Sequence, residues 1–328
     1  MANAATRIDT TARPGMKQDL TIVMYHYVRD FARSRFPGIR GLDLAGFRRQ
    51  IDFLEQGYSI VGMPQVLAAI RGDEPLPPRA ALLTFDDGYA EHYDLVFPEL
   101  HKRGLPGCFY PPLAPVREHR LLDVNRVHFI LAATLDDPSR VSAVIDARVR
   151  AEAASHGLDS VEVYRAEWAK PNRFDDAETI YIKRMLQTVL PEAMRHDIAR
   201  DLFARFVTTD EAAFAAELYI TEDQARLMQS CGMSFGSHGA EHLWLNRISP
   251  AEQAVEIDRS LAFLRDIGVG VDEGWVMCYP YGGWNESLLE VLRARGCSAG
   301  LTTEVATAEI GLNDPLRLPR YDTNDFPQ

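Results

Sequence analysis

Two neighbouring carboxylates, Asp86 and Asp87, end an apolar run and precede a glycine in the segment TFDDG at 84–88. Two adjacent carboxylates cannot both be buried and charged unless a positive group compensates them. A metal ion bound by one of them would leave the other free to act as a base, and Gly88 would allow a tight backbone turn. An ordinary strand-to-turn segment explains the same residues equally well.

A histidine pair, His238 and His242, lies in the segment SHGAEH at 237–242. Histidines four residues apart on a helical turn project from one face and could chelate one ion. The segment is not the HExxH pattern of zinc proteases, because Gly239 occupies the glutamate position. Two surface or core histidines near a strand end are the more common meaning of such a pair.

A third segment, YPYGG at 279–283, could supply an oxyanion donor through the backbone N–H of Tyr281. Taken alone it is only a turn. Trp244 and Trp284 each lie next to one of these motifs and could stack against a ring of a bound ligand. Aromatic residues this close to strand ends belong to the core at least as often.

The elements that must position these residues alternate between strand-like and helical patterns. The predicted strands are 20–26, 80–86, 107–112, 233–238, 275–280, 297–303 and 317–321. Such alternation favours parallel strands covered by helices, and about seven strands predict an α/β fold of the distorted (β/α)7 barrel type. Chemistry in such folds gathers at the carboxyl ends of the strands, where His26, Asp86, Asp87 and His238 are expected.

The pattern predicts one catalytic domain over residues 18–328, preceded by a loose tail over 1–17. Residues 116–222 interrupt the strand–helix rhythm with long helical stretches. We interpret this segment as a helical insertion that forms a lid or an interface, through which a homo-oligomer could assemble.

The composition excludes several classes of protein. A formal net charge of −12 argues against a nucleic-acid or anionic-membrane partner. No apolar run is long enough for a transmembrane helix or for the core of a signal peptide, which predicts a cytoplasmic protein. The four cysteines are far apart and form no CxxC pair, so they are predicted to be thiols rather than disulfides or a zinc knot.

Together, the three motifs resemble the polysaccharide deacetylase family, which is also called the NodB homology or carbohydrate esterase family 4. TFDDG at 84–88 matches the first family motif fully, and 238–242 matches the H-[ST]-x-x-H motif except at Gly239. The third motif, R-x-P-[YF], is matched only at Pro280 and Tyr281, with Cys278 in place of the arginine. Further similarity lies at 24–28, 242–253 and 316–320.

The resemblance implies that Asp87, His238 and His242 bind one divalent metal ion, with zinc first and nickel or cobalt as alternatives. It implies that Asp86 is the general base that acts on metal-activated water. Arg320 could supply the charge that is missing at position 278 or could be a surface residue.

The histidine acid that most members carry near the C-terminus is absent, since no histidine follows His242. A subgroup with permuted motifs, which resembles the poly-N-acetylglucosamine deacetylases, carries the acid in an N-terminal Tyr-His pair. Tyr25-His26 fits that pattern, and a structural role for His26 is the alternative.

The predicted reaction is removal of an N-acetyl group from an amino sugar or a glycan that contains one. Two alternatives stay open. One is an amide or N-formyl hydrolase that acts on a small molecule, and the other is a non-catalytic sugar-binding relative. The expected substrate is therefore an N-acetylated sugar, whose identity and linkage the sequence does not specify.

Overall fold

The computed structural model describes residues 17–172 and 175–327, so the predicted tail lies outside the described residues except for Lys17. Its strands, in chain order, are β1 (Gln18–Tyr25), β2 (Val28–Arg29), β3 (Leu42–Asp43), β4 (Ser59–Ile60), β5 (Ala80–Asp86), β6 (Cys108–Tyr110), β7 (Ser234–Phe235), β8 (Trp275–Cys278), β9 (Cys297–Leu301), β10 (Ala308–Ile310) and β11 (Tyr321–Asp322).

The helices cover these strands and fill the long segment between β6 and β7. They are α1 (Leu44–Gly57), α2 (Met63–Arg71), α3 (Phe97–Arg103), α4 (Leu113–Glu118), α5 (Asp123–Ala133), α6 (Ser139–His156), α7 (Val161–Trp168), α8 (Ala177–Arg184), α9 (Glu192–Phe206), α10 (Glu211–Leu218), α11 (Glu222–Ser230), α12 (Pro250–Asp266) and α13 (Glu286–Arg293). Two π-helical segments, His92–Val96 and Met185–Val189, precede α3 and follow α8. No helix within the described ranges is long and apolar enough to cross a bilayer.

The central strands form a parallel ring. β1 pairs with β5, β5 with β6 and β6 with β7, all in parallel. A parallel bridge between Ser237 and Met277 continues the ring to β8, which pairs with β9. A second bridge, from Leu301 to Leu318, leads to β11, which pairs with β1. The prediction of an α/β fold built on a distorted barrel of about seven strands is confirmed.

Strand β5 shows why this ring places polar groups at one end. Its seven residues, AALLTFD, are all buried, as expected for a strand that is covered on both faces. Helix α12 begins at a capping box that Ser249 and Glu252 form, with Pro250 at the first helical position. This cap fixes the start of the helix. The polar residues that could do chemistry therefore lie in the loops that follow the strands.

The segment 116–222 contains α5 to α10 and has a hydrophobic core of its own. That core also includes Tyr27 and Tyr89, which follow β1 and β5 at their carboxyl ends. The insertion therefore packs on the end of the barrel where the Asp86-Asp87 pair emerges. That the insertion acts as a lid or as an oligomer interface stays a prediction.

Two details of the strand prediction are wrong. The run 317–321 is not a continuous strand, because a 3-10 turn occupies Pro315–Arg317 and only Tyr321–Asp322 pairs as a strand. Asp314 caps that turn by accepting a hydrogen bond from the backbone N–H of Leu316. The strand pattern also missed the short strands β2, β3 and β4, as well as β10, which pairs antiparallel with the start of β1.

Candidate metal centre

Three side chains converge at the carboxyl end of the barrel: Asp87, His238 and His242. The Nε2 atoms of both histidines lie 3.3 Å from Oδ1 of Asp87. All three residues are buried, and one potential ligand atom from each lies within 4.8 Å of the others. The structure thus brings together the three residues that the sequence nominated as ligands.

The histidines meet through a loop and not through the predicted helical turn. Residues 238–242 are irregular, and both Gly239 and His242 have positive φ values, +75° and +56°. The loop is held from outside by Glu256 of α12, whose Oε2 accepts hydrogen bonds from the backbone N–H groups of Ala240 and Glu241 at 3.0 and 2.9 Å. Sequence reasoning missed Glu256, since nothing marks it among the polar residues of α12.

Hydrogen bonds on the outer side of the cluster leave its inner atoms available. Nδ1–H of His238 donates to the carbonyl oxygen of Cys278 at 2.7 Å, so its Nε2 lone pair faces Asp87. The hydroxyl of Tyr89 donates to Oδ2 of Asp87 at 2.6 Å. Oδ1 of Asp87 is buried and has no hydrogen-bond partner among the described residues. An orphaned carboxylate oxygen that faces two imidazole nitrogens fits a bound divalent cation.

A second group of potential ligands, Asp86, His238 and Cys278, is equally compact. Nδ1 of His238 is already engaged with the Cys278 carbonyl, and both oxygens of Asp86 are engaged by Arg320. Burial raises the pKa of the Cys278 thiol, which disfavours the thiolate that a metal would need. The group that contains Asp87 is therefore the better candidate.

Asp86 is held by a fully buried arginine from the far end of the chain. Nη1 and Nη2 of Arg320 donate to the two carboxylate oxygens at 2.9 and 2.8 Å. The Nε–H of Arg320 donates to the carbonyl oxygen of Thr302 at 2.8 Å. Burial alone would raise the pKa of Asp86, but Arg320, together with His26 and His238, outweighs it and lowers the pKa to about 2. Asp86 is therefore ionised at neutral pH.

His26 lies beside this pair at the end of β1. Its Nε2 is 3.8 Å from Oδ2 of Asp86, and its side chain is 42% exposed. The buried His92 donates from Nε2–H to the carbonyl oxygen of His26 at 2.8 Å, which fixes the backbone there. Burial lowers the pKa of His92 to about 4, so that ring stays neutral at physiological pH. Of these two histidines, His26 therefore has the ring that solvent can reach, and His92 holds the backbone of His26 in place.

Tyr281, which was nominated for its backbone N–H, and the aromatic candidate Trp244 both lie at the metal centre. The Tyr281 ring contacts His242 edge-on at 4.6 Å between centroids and stacks on Trp244 at 4.5 Å. The guanidinium of Arg247 lies over the Trp244 ring at 4.6 Å, so stacking of a sugar on this indole would compete with groups already in place.

Trp284 lies apart from this group. Its ring packs against the barrel core under the guanidinium of Arg317. The structure does not bring it to the metal centre.

Two cavities open beside the cluster. The larger, of about 820 Å³, is lined by His26, Tyr89 and His128 together with residues of the loops at 31–42 and 322–325. The smaller is lined by His242, Trp244 and Tyr281 together with residues of α5 and α9. Both therefore combine groups from the barrel end with groups from the insertion.

The fold and this cluster together define an α/β barrel protein with a candidate mononuclear metal site at the carboxyl ends of its strands. A family model described as polysaccharide deacetylase matches residues 73–300. The chain belongs to the polysaccharide deacetylase family.

The chain is also similar to a named relative and to solved structures. It is 37% identical over 101 residues to the poly-beta-1,6-N-acetyl-D-glucosamine N-deacetylase of Escherichia coli (strain K12), a match that covers 30% of this chain and 15% of the relative. Among solved structures, the Streptococcus pyogenes deacetylase PplD in complex with acetate has a TM-score of 0.54 at 16% identity, covering 94% of this chain and 93% of that one. IcaB from Ammonifex degensii has a TM-score of 0.53 at 18% identity, covering 92% and 90%. These structures share the fold.

Proposed function

We propose that this protein is a metal-dependent N-deacetylase that hydrolyses the acetamido group of an N-acetylated amino sugar within a glycan. The observation that carries the proposal is the convergence of Asp87, His238 and His242 next to an ionised carboxylate, Asp86, that a buried arginine holds in place. One carboxylate and two imidazoles form a donor set that suits zinc better than magnesium or calcium, with nickel or cobalt as alternatives.

Held by these three residues, a divalent ion would act as a Lewis acid that lowers the pKa of a water molecule and polarises the acetyl carbonyl. Three protein ligands are the number that catalytic zinc sites use, because one position must stay open for substrate or water. The chain's own groups must then move the protons.

Asp86 is the group that accepts a proton from the attacking water. It is ionised at neutral pH, and the paired contact with Arg320 fixes the plane of its carboxylate. Because both of its oxygens are engaged by the guanidinium, Asp86 is poorly placed to become an additional ligand. The two neighbouring carboxylates therefore have different roles: Asp87 binds the metal, and Asp86 accepts the proton.

His26 is the group that protonates the departing amine. An amide nitrogen leaves only when it is protonated, so an acid must lie within reach of the substrate nitrogen, close to the base. His26 lies 3.8 Å from Asp86 Oδ2, and its partly exposed ring lines the larger cavity. The volume of that cavity, about 820 Å³, lies within the roughly 300–1,000 Å³ of typical ligand sites.

The substrate we propose is a β-1,6-linked N-acetylglucosamine oligomer, because a relative that is 37% identical over 101 residues is named a deacetylase of that polymer. The test is to incubate zinc-loaded protein with such oligomers, with an N-formyl analogue and with monomeric N-acetylglucosamine, and to measure the released acid and the new free amines. We expect acetate and amine in equal amounts from the oligomers. Release of formate alone would favour a small-molecule amide hydrolase instead. Binding of the oligomers without release of any acid would indicate a non-catalytic sugar-binding protein.

A further inference from the structure

Behind the metal cluster, a chain of buried hydrogen bonds leads from Asp87 into the insertion. Tyr89 donates its hydroxyl proton to Oδ2 of Asp87 at 2.6 Å. Nδ2 of Asn125, on α5 of the insertion, in turn donates to the Tyr89 hydroxyl oxygen at 2.7 Å. Asp87, Tyr89 and Asn125 are all at least nine-tenths buried.

Asn125 is the centre of this network because every one of its polar positions is used. Its second amide proton is donated to the hydroxyl of Tyr27 at 2.7 Å. Its carbonyl oxygen accepts the hydroxyl proton of Tyr219, whose oxygen accepts the backbone N–H of Leu122 at 3.1 Å. A metal-binding carboxylate can only accept hydrogen bonds, so Tyr89 must donate its single hydroxyl proton to Asp87. The Asn125 atom that faces the Tyr89 oxygen must therefore be the donor Nδ2, which leaves the carbonyl oxygen of Asn125 to accept from Tyr219.

The fixed directions have a consequence for Asp87. Because Nδ2 of Asn125 donates to the Tyr89 oxygen, it holds the tyrosine hydroxyl with its proton directed toward Oδ2 of Asp87. Oδ2 is therefore engaged, and only Oδ1 remains to face the two histidine nitrogens. Four segments of the chain, centred on 27, 89, 125 and 219, must be in place together to produce this outcome.

We propose that Asn125 is a positioning residue for the metal site, which acts through Tyr89 to hold Asp87 as a one-oxygen ligand. The proposal rests on the metal-dependent function proposed above. It makes the insertion a structural part of the metal centre, in addition to any lid or interface role. Hydrogen-bonded partners of metal ligands typically change metal affinity by about 10–100-fold when they are removed.

The chain offers a matched control in Tyr181. This tyrosine is also fully buried, and its hydroxyl donates to a buried carboxylate, Oδ1 of Asp146, at 2.7 Å. Tyr181 belongs to the hydrophobic core of the insertion, and Asp146 is a buried residue of α6 in the same segment. Tyr181→Phe therefore removes the same chemical group as Tyr89→Phe at a place away from the metal cluster.

The test measures zinc affinity by competition with a chromophoric chelator, without substrate. The parent, Tyr89→Phe, Asn125→Leu, the double variant of these two and Tyr181→Phe are compared, with urea unfolding recorded for each. We expect Tyr89→Phe and Asn125→Leu each to weaken zinc binding by about 10–100-fold. The double variant should bind zinc no more weakly than Tyr89→Phe alone, because Asn125 acts through Tyr89. Tyr181→Phe should keep the parental affinity.

Cobalt substitution gives a second readout that lost stability does not mimic. With Oδ2 released in Tyr89→Phe, Asp87 gains a second oxygen for the ion, so the visible spectrum of bound Co²⁺ should shift toward the weaker absorption of higher coordination. Zinc affinity of Asn125→Leu within twofold of the parent would overturn the proposal, as would a full further loss in the double variant. If Asn125→Leu does not fold, an unchanged affinity and cobalt spectrum in Tyr89→Phe would overturn it. A parent protein that binds no metal would instead refute the proposed function.

Discussion

Replacing Arg320 with methionine tests whether this buried arginine keeps Asp86 ionised and in place. Both side chains are about 1% exposed, and two hydrogen bonds of 2.9 and 2.8 Å join them. Methionine fills much of the volume of the arginine stem but brings no charge. Arg320→Met therefore leaves a buried carboxylate without its counter-charge and removes the donor to the Thr302 carbonyl.

The expected loss of stability follows from that geometry. Removing one partner of a buried ion pair costs about 3–5 kcal/mol. The loss should depend on pH. In the parent, the pKa of Asp86 is lowered to about 2, so the stability that this pairing contributes is fully present above the unfolded pKa of about 4 and is lost as the pH falls toward 2. In the variant, burial acts unopposed by Arg320, and the pKa of Asp86 should rise above its usual value.

The assay is urea unfolding of the parent and Arg320→Met between pH 4 and pH 8. The difference in the free energy of unfolding between them should be largest near pH 8. At that pH the variant must either bury an unpaired charge on Asp86 or protonate Asp86 far above the usual pKa of a carboxyl group. This difference should shrink toward pH 4, because Asp86 of the variant can then be protonated and be buried as a neutral carboxylic acid. Turnover should fall by about 10²–10⁴-fold, because the base is no longer held as an ion.

Two further variants make the reasoning refutable. Adding Asp86→Asn to Arg320→Met should restore part of the lost stability, because the amide needs no counter-charge. Arg165→Met is the control: Arg165 donates two hydrogen bonds, of 2.9 and 2.8 Å, to Oδ2 of the buried Asp146 within the insertion. Its side chain is one-third exposed, so this variant should lose less stability than Arg320→Met and should keep turnover. An Arg320→Met protein as stable as the parent at pH 8, or one that Asp86→Asn fails to rescue, would show that the ion pair does not do what we infer.

Three other substitutions have defined outcomes. Asp86→Asn should keep its metal, measured by elemental analysis, while turnover falls by about 10²–10⁴-fold; loss of the metal would mean that the two carboxylates have exchanged roles. His26→Ala should keep metal and fold but lose most of the turnover, with a changed alkaline limb in the pH–rate profile; parental activity would place the acid elsewhere. Glu256→Ala removes the acceptor of two loop N–H groups and should weaken zinc binding as well as stability, whereas stability loss at parental zinc affinity would make Glu256 a purely structural residue.

Much of the barrel could be predicted because its strands are short apolar runs with polar residues at their ends. Strand β5 is the clearest case, since a fully buried run ends at Asp86-Asp87. The helical turn predicted for the histidine pair was wrong for a reason visible in the sequence. Gly239 adopts a positive φ of +75°, so the backbone leaves the right-handed helical region directly after His238.

Most contacts that complete the site could not be predicted, because they join distant segments. Arg320 is the exception, since the family resemblance nominated it as a possible source of the charge that is missing at position 278. Arg320 and Asp86 are 234 residues apart, and only the closed ring of strands brings them together. Asn125 looks like any polar residue of an amphipathic helix, yet it meets three tyrosines from three other segments. Residue type and spacing therefore nominate the ligands, whereas the groups that orient those ligands depend on the tertiary fold.

The central claim is that catalysis requires one metal ion held by Asp87, His238 and His242. The most direct measurement is the rate of acetate release from a β-1,6-linked N-acetylglucosamine oligomer while chelator-treated protein is titrated with zinc. We expect a rate near zero without metal, a linear rise to one equivalent and a plateau beyond it, with no rise for His242→Ala. A chelated, metal-free protein that releases acetate at the full rate, or a His242→Ala variant that matches the parent, would contradict the claim.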